Sequence, residues 1–163
     1  MKFNRIGLFS LIRKDITRMF RVSIQTLITP WITSALYIFI FGFVIGRRID
    51  LLSGVNYIDF VLPGILMMNI IMSSFSQASS SIYFQRFTHS IDEILIAPLS
   101  YLEMIIGFAV GGVVRGLIVG IGVYALALYF TTATISHFGL FVFYSISISL
   151  IFSFVGMLVG LWA

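Results

Sequence analysis

The sequence predicts an all-α protein: a polytopic transmembrane helical bundle of about four spans, preceded by an N-terminal interfacial amphipathic helix. Hydrophobic residues make up 60% of the 163 residues, and charged residues make up 10%, against about 25% in an average soluble domain. A water-soluble protein of this size needs a polar shell that this composition does not supply. Four apolar stretches each reach the roughly 20 residues that a membrane-spanning helix requires.

The apolar stretches at 27–46, 60–84, 104–130 and 138–163 are the predicted spans. Short polar links separate them, and no repeat or linker marks a domain boundary. We therefore predict a single transmembrane domain over 1–163. The fourth stretch ends without a charged flank, so we expect the chain to be part of a longer protein.

The segment 1–24 contains six basic residues ahead of the first span: Lys2, Arg5, Arg13, Lys14, Arg18 and Arg21. Apolar residues recur between them at about helical spacing, which is typical of a helix lying in the headgroup layer. The helix is either a simple anchor or also a contact for a cytoplasmic partner. With the N-terminus inside, the inner segments hold these six and Arg86, and the outer segments hold Arg47 and Arg48. This bias predicts a cytoplasmic N-terminus.

The link at 85–103 is then cytoplasmic, and it contains two capping boxes. One pairs Ser90 with Glu93, and the other pairs Ser100 with Glu103. In such a box each side chain bonds the other residue's backbone N–H, so each pair can start a helix.

Between the two boxes, Pro98 ends a helix of about two turns over 91–97, because proline cannot donate a backbone hydrogen bond. A helix this short is marginal in water without something packed against it. Two interpretations stay open. The segment is either a rigid interfacial connector or a docking element for another protein.

Polar residues inside the spans are candidate functional residues. Arg115 lies about 16 Å past Met104 at 1.5 Å per residue, which is near the bilayer midplane. An arginine there costs about 2.5–3.5 kcal/mol on insertion scales, so it must face protein or water. Asn69, Gln77 or a segment outside this chain are its expected partners. Arg115 either lines a transport path or subunit interface, or it is a structural hydrogen-bonding residue.

Small and polar residues in the second and third spans predict close helix contacts. Glycines recur every four positions in the third span, at Gly107 and Gly111 and at Gly112, Gly116 and Gly120. This spacing lets helices approach closely in lipid. The inner half of the second span carries Ser73, Ser74, Ser76, Gln77, Ser79, Ser80 and Ser81. These side chains either face other helices or a cavity, or bond back to their own helix.

Motifs for enzyme chemistry are absent from the sequence. It has no G-x-x-x-x-G-K-[ST] phosphate loop, no H-E-x-x-H and no G-x-S-x-G, and it contains no cysteine. We therefore expect no catalytic, cofactor-binding or metal-binding residues, and we expect that the chain is not an enzyme.

Five short stretches resemble one protein family in both content and order. They are Q-T-L-I-T-P at 25–30, L-Y-I-F-I-F-G at 36–42, Y-I-D-F-V-L-P-G at 57–64, I-D-E-I-L-I-A-P at 91–98 and G-G-V-V-R-G at 111–116. Together they are similar to the permease subunit of type-2 ABC exporters, in the branch of small bacterial drug, polysaccharide and nodulation-factor exporters.

The resemblance implies an ABC exporter permease with six spans, of which this chain holds the first four. It implies a homodimer in the bacterial inner membrane, served by two cytoplasmic ATPase subunits that hold the ATP and Mg. It also implies that the ATPase-coupling helix contains Ile91, Asp92, Glu93, Ile94, Leu95 and Pro98. We expect no nucleic-acid partner. The alternatives are a secondary transporter or channel fragment, or a membrane scaffold without transport.

Overall fold

The computed structural model describes residues 4–22, 24–45, 57–88, 90–91, 96, 99–130 and 138–162. Within these ranges the chain is helical and contains no strand, which confirms the all-α prediction. Four helices in the described part are long and apolar enough to cross a membrane, which agrees with the predicted spans.

Helix α1 comprises Arg5–Arg21 and precedes the spanning helices. Asn4 caps it, because its side-chain oxygen accepts a hydrogen bond of 3.0 Å from the Gly7 N–H. One face of α1 is buried at four-residue spacing, by Leu11, Asp15 and Met19. An acidic side chain therefore lies on the face that packs against the rest of the protein.

The first spanning helix has three segments: a π-helical turn at Ile24–Ile28, α2 at Thr29–Phe39, and a second π-helical stretch at Ile40–Ile45. Pro30 stands in the first turn of α2. It has no N–H with which to bond the Thr26 carbonyl four residues earlier. That carbonyl is consequently open to a donor from another helix.

The other three spanning helices are α3 at Tyr57–Phe87, α4 at Tyr101–Phe130 and α5 at Phe138–Trp162. At 1.5 Å per residue, α3 and α4 are each about 45 Å long, which exceeds a hydrocarbon core of about 30 Å. The start of α4 precedes the predicted span at 104, because the capping box ahead of it begins the helix outside the apolar stretch.

Helix α1 lies alongside the first turns of α4. Leu11 packs against Gly107, and Asp15 packs against Gly111, one helical turn further along both helices. The contact therefore follows the two helix axes in the same direction. The remaining bundle is formed by α3, α4 and α5, which all contact one another.

Two apolar clusters lie at different levels of the bundle. The distal cluster consists of Leu27, Ile38, Leu62, Ile65, Leu66, Val119, Val123 and Ala127. The proximal cluster consists of Leu11, Ala78, Ile82, Phe108, Ala109 and Met157. Along α4, buried Arg115 lies between Phe108 of one cluster and Val119 of the other. A polar layer thus separates two apolar ones.

Candidate functional site

Asp15 of α1 lies at the centre of a buried hydrogen-bond network. Its carboxylate accepts hydrogen bonds from Ser81 Oγ at 2.6 Å and from Gln77 Nε2 at 3.2 Å, both on α3. Arg18 Nη2 lies 3.3 Å from the same carboxylate, one turn along α1. Only 3% of Asp15 is exposed, so its charge depends on these partners for stabilisation.

Gln77 connects Asp15 to Arg115, which lies on α4. While its Nε2 donates to Asp15, its Oε1 accepts a hydrogen bond of 3.1 Å from Arg115 Nη1. The carboxylate only accepts and the guanidinium only donates, so this orientation of the amide satisfies both. Arg115 Nη2 also donates to the Thr26 carbonyl at 3.3 Å, the oxygen that Pro30 cannot bond.

The polar cluster, defined as Asp15, Gln77, Ser81 and Arg115, joins four helical elements: α1, the start of the first span, α3 and α4. Hydrogen bonds of this kind hold helices together in lipid, where the hydrophobic effect does not. The cluster consists of hydrogen bonds between side chains of different helices, which is the arrangement of a structural contact. No group of three or more metal-ligating side chains occurs in the part of the chain that the structure describes.

The structure places all five predicted packing glycines at helix contacts. A Cβ on Gly107 would overlap Leu11, and one on Gly111 would overlap the Asp15 carboxylate. The other three face α3 and α5: Gly112 meets Ser74 and Ser153, Gly116 meets Ser74 and Ser149, and Gly120 meets Ile70. Glycine at 111 is what lets Asp15 approach α4.

The structure separates the predicted partners of Arg115. Gln77 contacts it, whereas the Asn69 side chain donates to the Ile65 carbonyl of its own helix at 2.7 Å. Arg115 is only 8% exposed, as a cation inside a span requires. Its guanidinium reaches Thr26 at the start of the first span. This contact lies nearer to α1 than the midplane position that the residue count from Met104 predicts. The long arginine side chain allows this reach.

The polar residues in the inner half of the second span take both predicted roles, since some face other helices and others bond to their own helix. Ser73, Ser74, Gln77 and Ser81 are buried against other helices, Ser79 is half-buried, and Ser76 and Ser80 are exposed. Ser80 donates to the Gln77 carbonyl of its own helix at 3.2 Å. Position on the helix decides the role, because the buried residues follow the face that meets α1, α4 and α5.

Sequence reasoning missed Asp15 and a row of serines on α5. Ser145, Ser149 and Ser153 are almost fully buried, and Ser149 and Ser153 face Gly116 and Gly112 of α4. Their four-residue spacing was the available signal. For Asp15 the signal was an acid on the apolar face of a basic helix, in register with Leu11.

Only part of the predicted coupling helix lies within the described residues. Asp92, Glu93, Ile94, Leu95 and Pro98 lie outside them. Ile91 lines a cavity of about 420 Å³ whose lining is almost entirely apolar and whose other residues lie on α3, α4 and α5. Ile96 is 85% exposed.

The capping box at the start of α4 is confirmed, and it also contacts α1. The Ser100 N–H donates to Glu103 Oε2 at 2.6 Å, and the Glu103 N–H donates to Ser100 Oγ at 3.3 Å. The Asn4 N–H donates to the other Glu103 oxygen. Leu99 packs against Gly7. The residues directly after 91–98 are therefore attached to the first turn of α1.

Comparison with known proteins identifies the chain's relatives. It is 38% identical over 159 residues to proteins named inner membrane transport permease YadH, from Escherichia coli K12, E. coli O157:H7 and Shigella flexneri. The alignment covers 97% of this chain and 62% of each relative. No solved structure matches the chain. Residues 7–163 match the family described as ABC-2 type transporter, and the chain belongs to that family.

Proposed function

We propose that this chain is the membrane-spanning permease part of an ATP-binding-cassette exporter. It moves a substrate across the inner membrane with ATP that a separate subunit hydrolyses. The observation that carries the proposal is the family match over residues 7–163. The name of the YadH relatives, inner membrane transport permease, supports the same activity and the same membrane.

The energy source in this proposal belongs to a partner. The chain contains no phosphate-loop motif, so ATP and Mg bind to a cytoplasmic ATPase subunit. The excess of lysine and arginine before the first span supports a cytoplasmic N-terminus. The partner then meets the end of the bundle that carries α1. A second copy of the permease completes the path as a homodimer.

The contacts around α1 support a route for mechanical coupling. The ATPase presses on 91–98, and the adjoining Leu99 and Glu103 contact the first turn of α1. From α1, the Asp15 carboxylate reaches α3 and α4 through Gln77 and Arg115. A displacement of the segment would move these helices as one unit.

Co-purification of the full-length protein tests the proposal. We expect a tagged permease to retain an ATPase subunit, and Glu93→Arg to reduce both retention and export at least tenfold. Asp50→Arg is the matched control, since it makes the same charge reversal in the link predicted on the opposite side. Transport driven by an ion gradient without ATP would refute the proposal. So would full export and retention by the Glu93→Arg protein.

A further inference from the structure

A cavity of about 500 Å³ opens beside the polar cluster, between α1, the start of the first span, α3 and α4. Its lining contains three guanidinium groups, those of Arg18, Arg21 and Arg115. No carboxylate belongs to this lining among the described residues. The nearby Asp15 is not among the lining residues, and its carboxylate is bonded to Ser81, Gln77 and Arg18. Asp15 pairs with Arg18 at 3.3 Å just outside this lining, so the three guanidinium groups still leave the cavity with a net positive charge.

Arg115 has an unused donor at this cavity. Its Nη1 and Nη2 donate to Gln77 and Thr26, but its Nε has no hydrogen-bond partner among the described residues, although the side chain is 8% exposed. Buried donors are normally paired, because an unpaired one loses its water without replacement. A small shift of the side chain that turns Nε toward the cavity would let an anion there supply the missing acceptor.

The cavity opens next to α1, the basic amphipathic helix expected at the inner boundary of the bilayer. Gln77 lies deeper along α3, within the predicted second span. Tyr83 and Phe84 also line the cavity. They lie further along α3 than Gln77 and are exposed. Aromatic rings and arginines gather at this boundary. The Arg18 guanidinium lies 5.6 Å from the centroid of the Phe84 ring.

We propose that this arginine cavity binds a phosphate group, carried by an anionic phospholipid or by a soluble phosphate ester. The planar guanidinium presents paired N–H donors that match phosphate oxygens. Arg115 lines the cavity and has the unpaired Nε. Arg18 and Arg21 supply charge at its rim, and Arg21 is exposed and free to approach the ligand. Phosphate binding at this cavity does not depend on ATP-driven transport.

Native mass spectrometry of the full-length protein in neutral detergent tests the site. The probes are phosphatidylglycerol, net-neutral phosphatidylcholine and inorganic phosphate, with thermal stabilisation as a second readout for phosphate. We expect Arg21→Gln to weaken binding about tenfold for whichever of phosphatidylglycerol and inorganic phosphate the wild-type protein binds. Arg13→Gln removes the same charge from an exposed position on α1 outside the cavity, and it should change binding less than twofold.

A second variant addresses the buried donor. Arg115→Lys keeps the charge but loses the guanidinium fork, so we expect binding to weaken at least fivefold while the protein stays folded. Preference for phosphatidylglycerol over both other probes identifies a lipid ligand, and stabilisation by inorganic phosphate identifies a soluble one. The proposal is overturned if neither phosphatidylglycerol nor inorganic phosphate binds, or if Arg21→Gln and Arg13→Gln have equal effects.

Discussion

The distal cluster and the polar cluster hold the same helices together in different ways. At the distal cluster, α3 and α4 meet through Leu66, Val119 and Val123, none of which is more than 2% exposed. At the polar cluster they meet through Gln77 and Arg115, with Asp15 of α1 as the third member. Apolar packing needs only the right volume, whereas the polar cluster needs every named partner.

These two kinds of contact predict different responses to the loss of a side chain. Loss of an apolar side chain leaves a cavity that the neighbouring residues and lipid partly fill. Loss of one member of the polar cluster leaves a buried charge or donor without a partner. The distal cluster should therefore tolerate change gradually, and the polar cluster should not.

Asp15→Ala should have the largest effect. It removes the acceptor for Ser81 and Gln77, and it leaves Arg115 without a nearby carboxylate. We expect a loss of about 4 kcal/mol in the free energy of unfolding, because two buried donors lose their charged acceptor at about 2 kcal/mol each. We also expect α1 to detach, so trypsin should cleave after Arg13 and Lys14 at least tenfold faster.

Asp15→Asn provides the control for this variant. It retains the shape and one carbonyl acceptor, so part of the stability and most of the trypsin protection should return. If Asp15→Ala leaves both unfolding and cleavage unchanged, the polar cluster does not hold α1.

Leu66→Ala tests the other side of the comparison. Leu66 is 2% exposed within the distal cluster, and its truncation should cost about 3 kcal/mol. Cleavage within α1 should stay at the wild-type rate below the unfolding temperature, because the polar cluster is intact. Chemical unfolding in detergent and the same trypsin assay check both statements. Increased α1 cleavage would show that the two regions are not separable.

Gly156→Ala tests how closely α5 is held against the polar half of α3. A Cβ at this position would lie 2.5 Å from the Phe75 carbonyl oxygen, which is backbone and cannot turn away. The helices must separate, and overpacking of this kind costs about 2 kcal/mol. Gly64→Ala is the matched control, since nothing lies within 4 Å of its added methyl group. Equal melting temperatures for the two variants would contradict the close contact.

Ser100→Ala should have the smallest effect. It removes the hydroxyl that accepts the Glu103 N–H, and loss of such a cap costs about 1 kcal/mol. The effect should be local, with faster amide hydrogen exchange in the first turn of α4 and little change around Leu66. Ser76→Ala, at an exposed site on α3, is the control and should leave exchange unchanged.

The sequence predicted the features whose signal lies within a short stretch of residues. Apolar length predicted the four spans, the S-x-x-E pattern predicted the cap at Ser100, and four-residue spacing predicted contacts at the glycines. The cost of a charge in lipid predicted that Arg115 is shielded, with Gln77 among its expected partners. Each of these inferences depends on local geometry or on solvation, which the residues express directly.

Contacts between residues distant in the sequence could not be predicted, because local geometry and solvation do not specify them. Nothing local to α1 indicates that Asp15 meets residues sixty-two and sixty-six positions later in the chain. The meeting depends on Gly111, which removes a side chain from α4 where Asp15 approaches. The position of Thr26 opposite Arg115 likewise depends on how α1 turns into the first span.

The sequence by itself determined that this chain is helical, with four apolar stretches of spanning length, a basic amphipathic start and the motifs of the ABC-2 type transporter family. Hydrophobic length and motif order carry that information in any conformation. Only the tertiary structure decided that α1 is anchored through Asp15 to α3 and α4, and that three arginines surround one cavity. Buried charges are stabilised only by partners at hydrogen-bond distance, and the packing of the helices selects those partners.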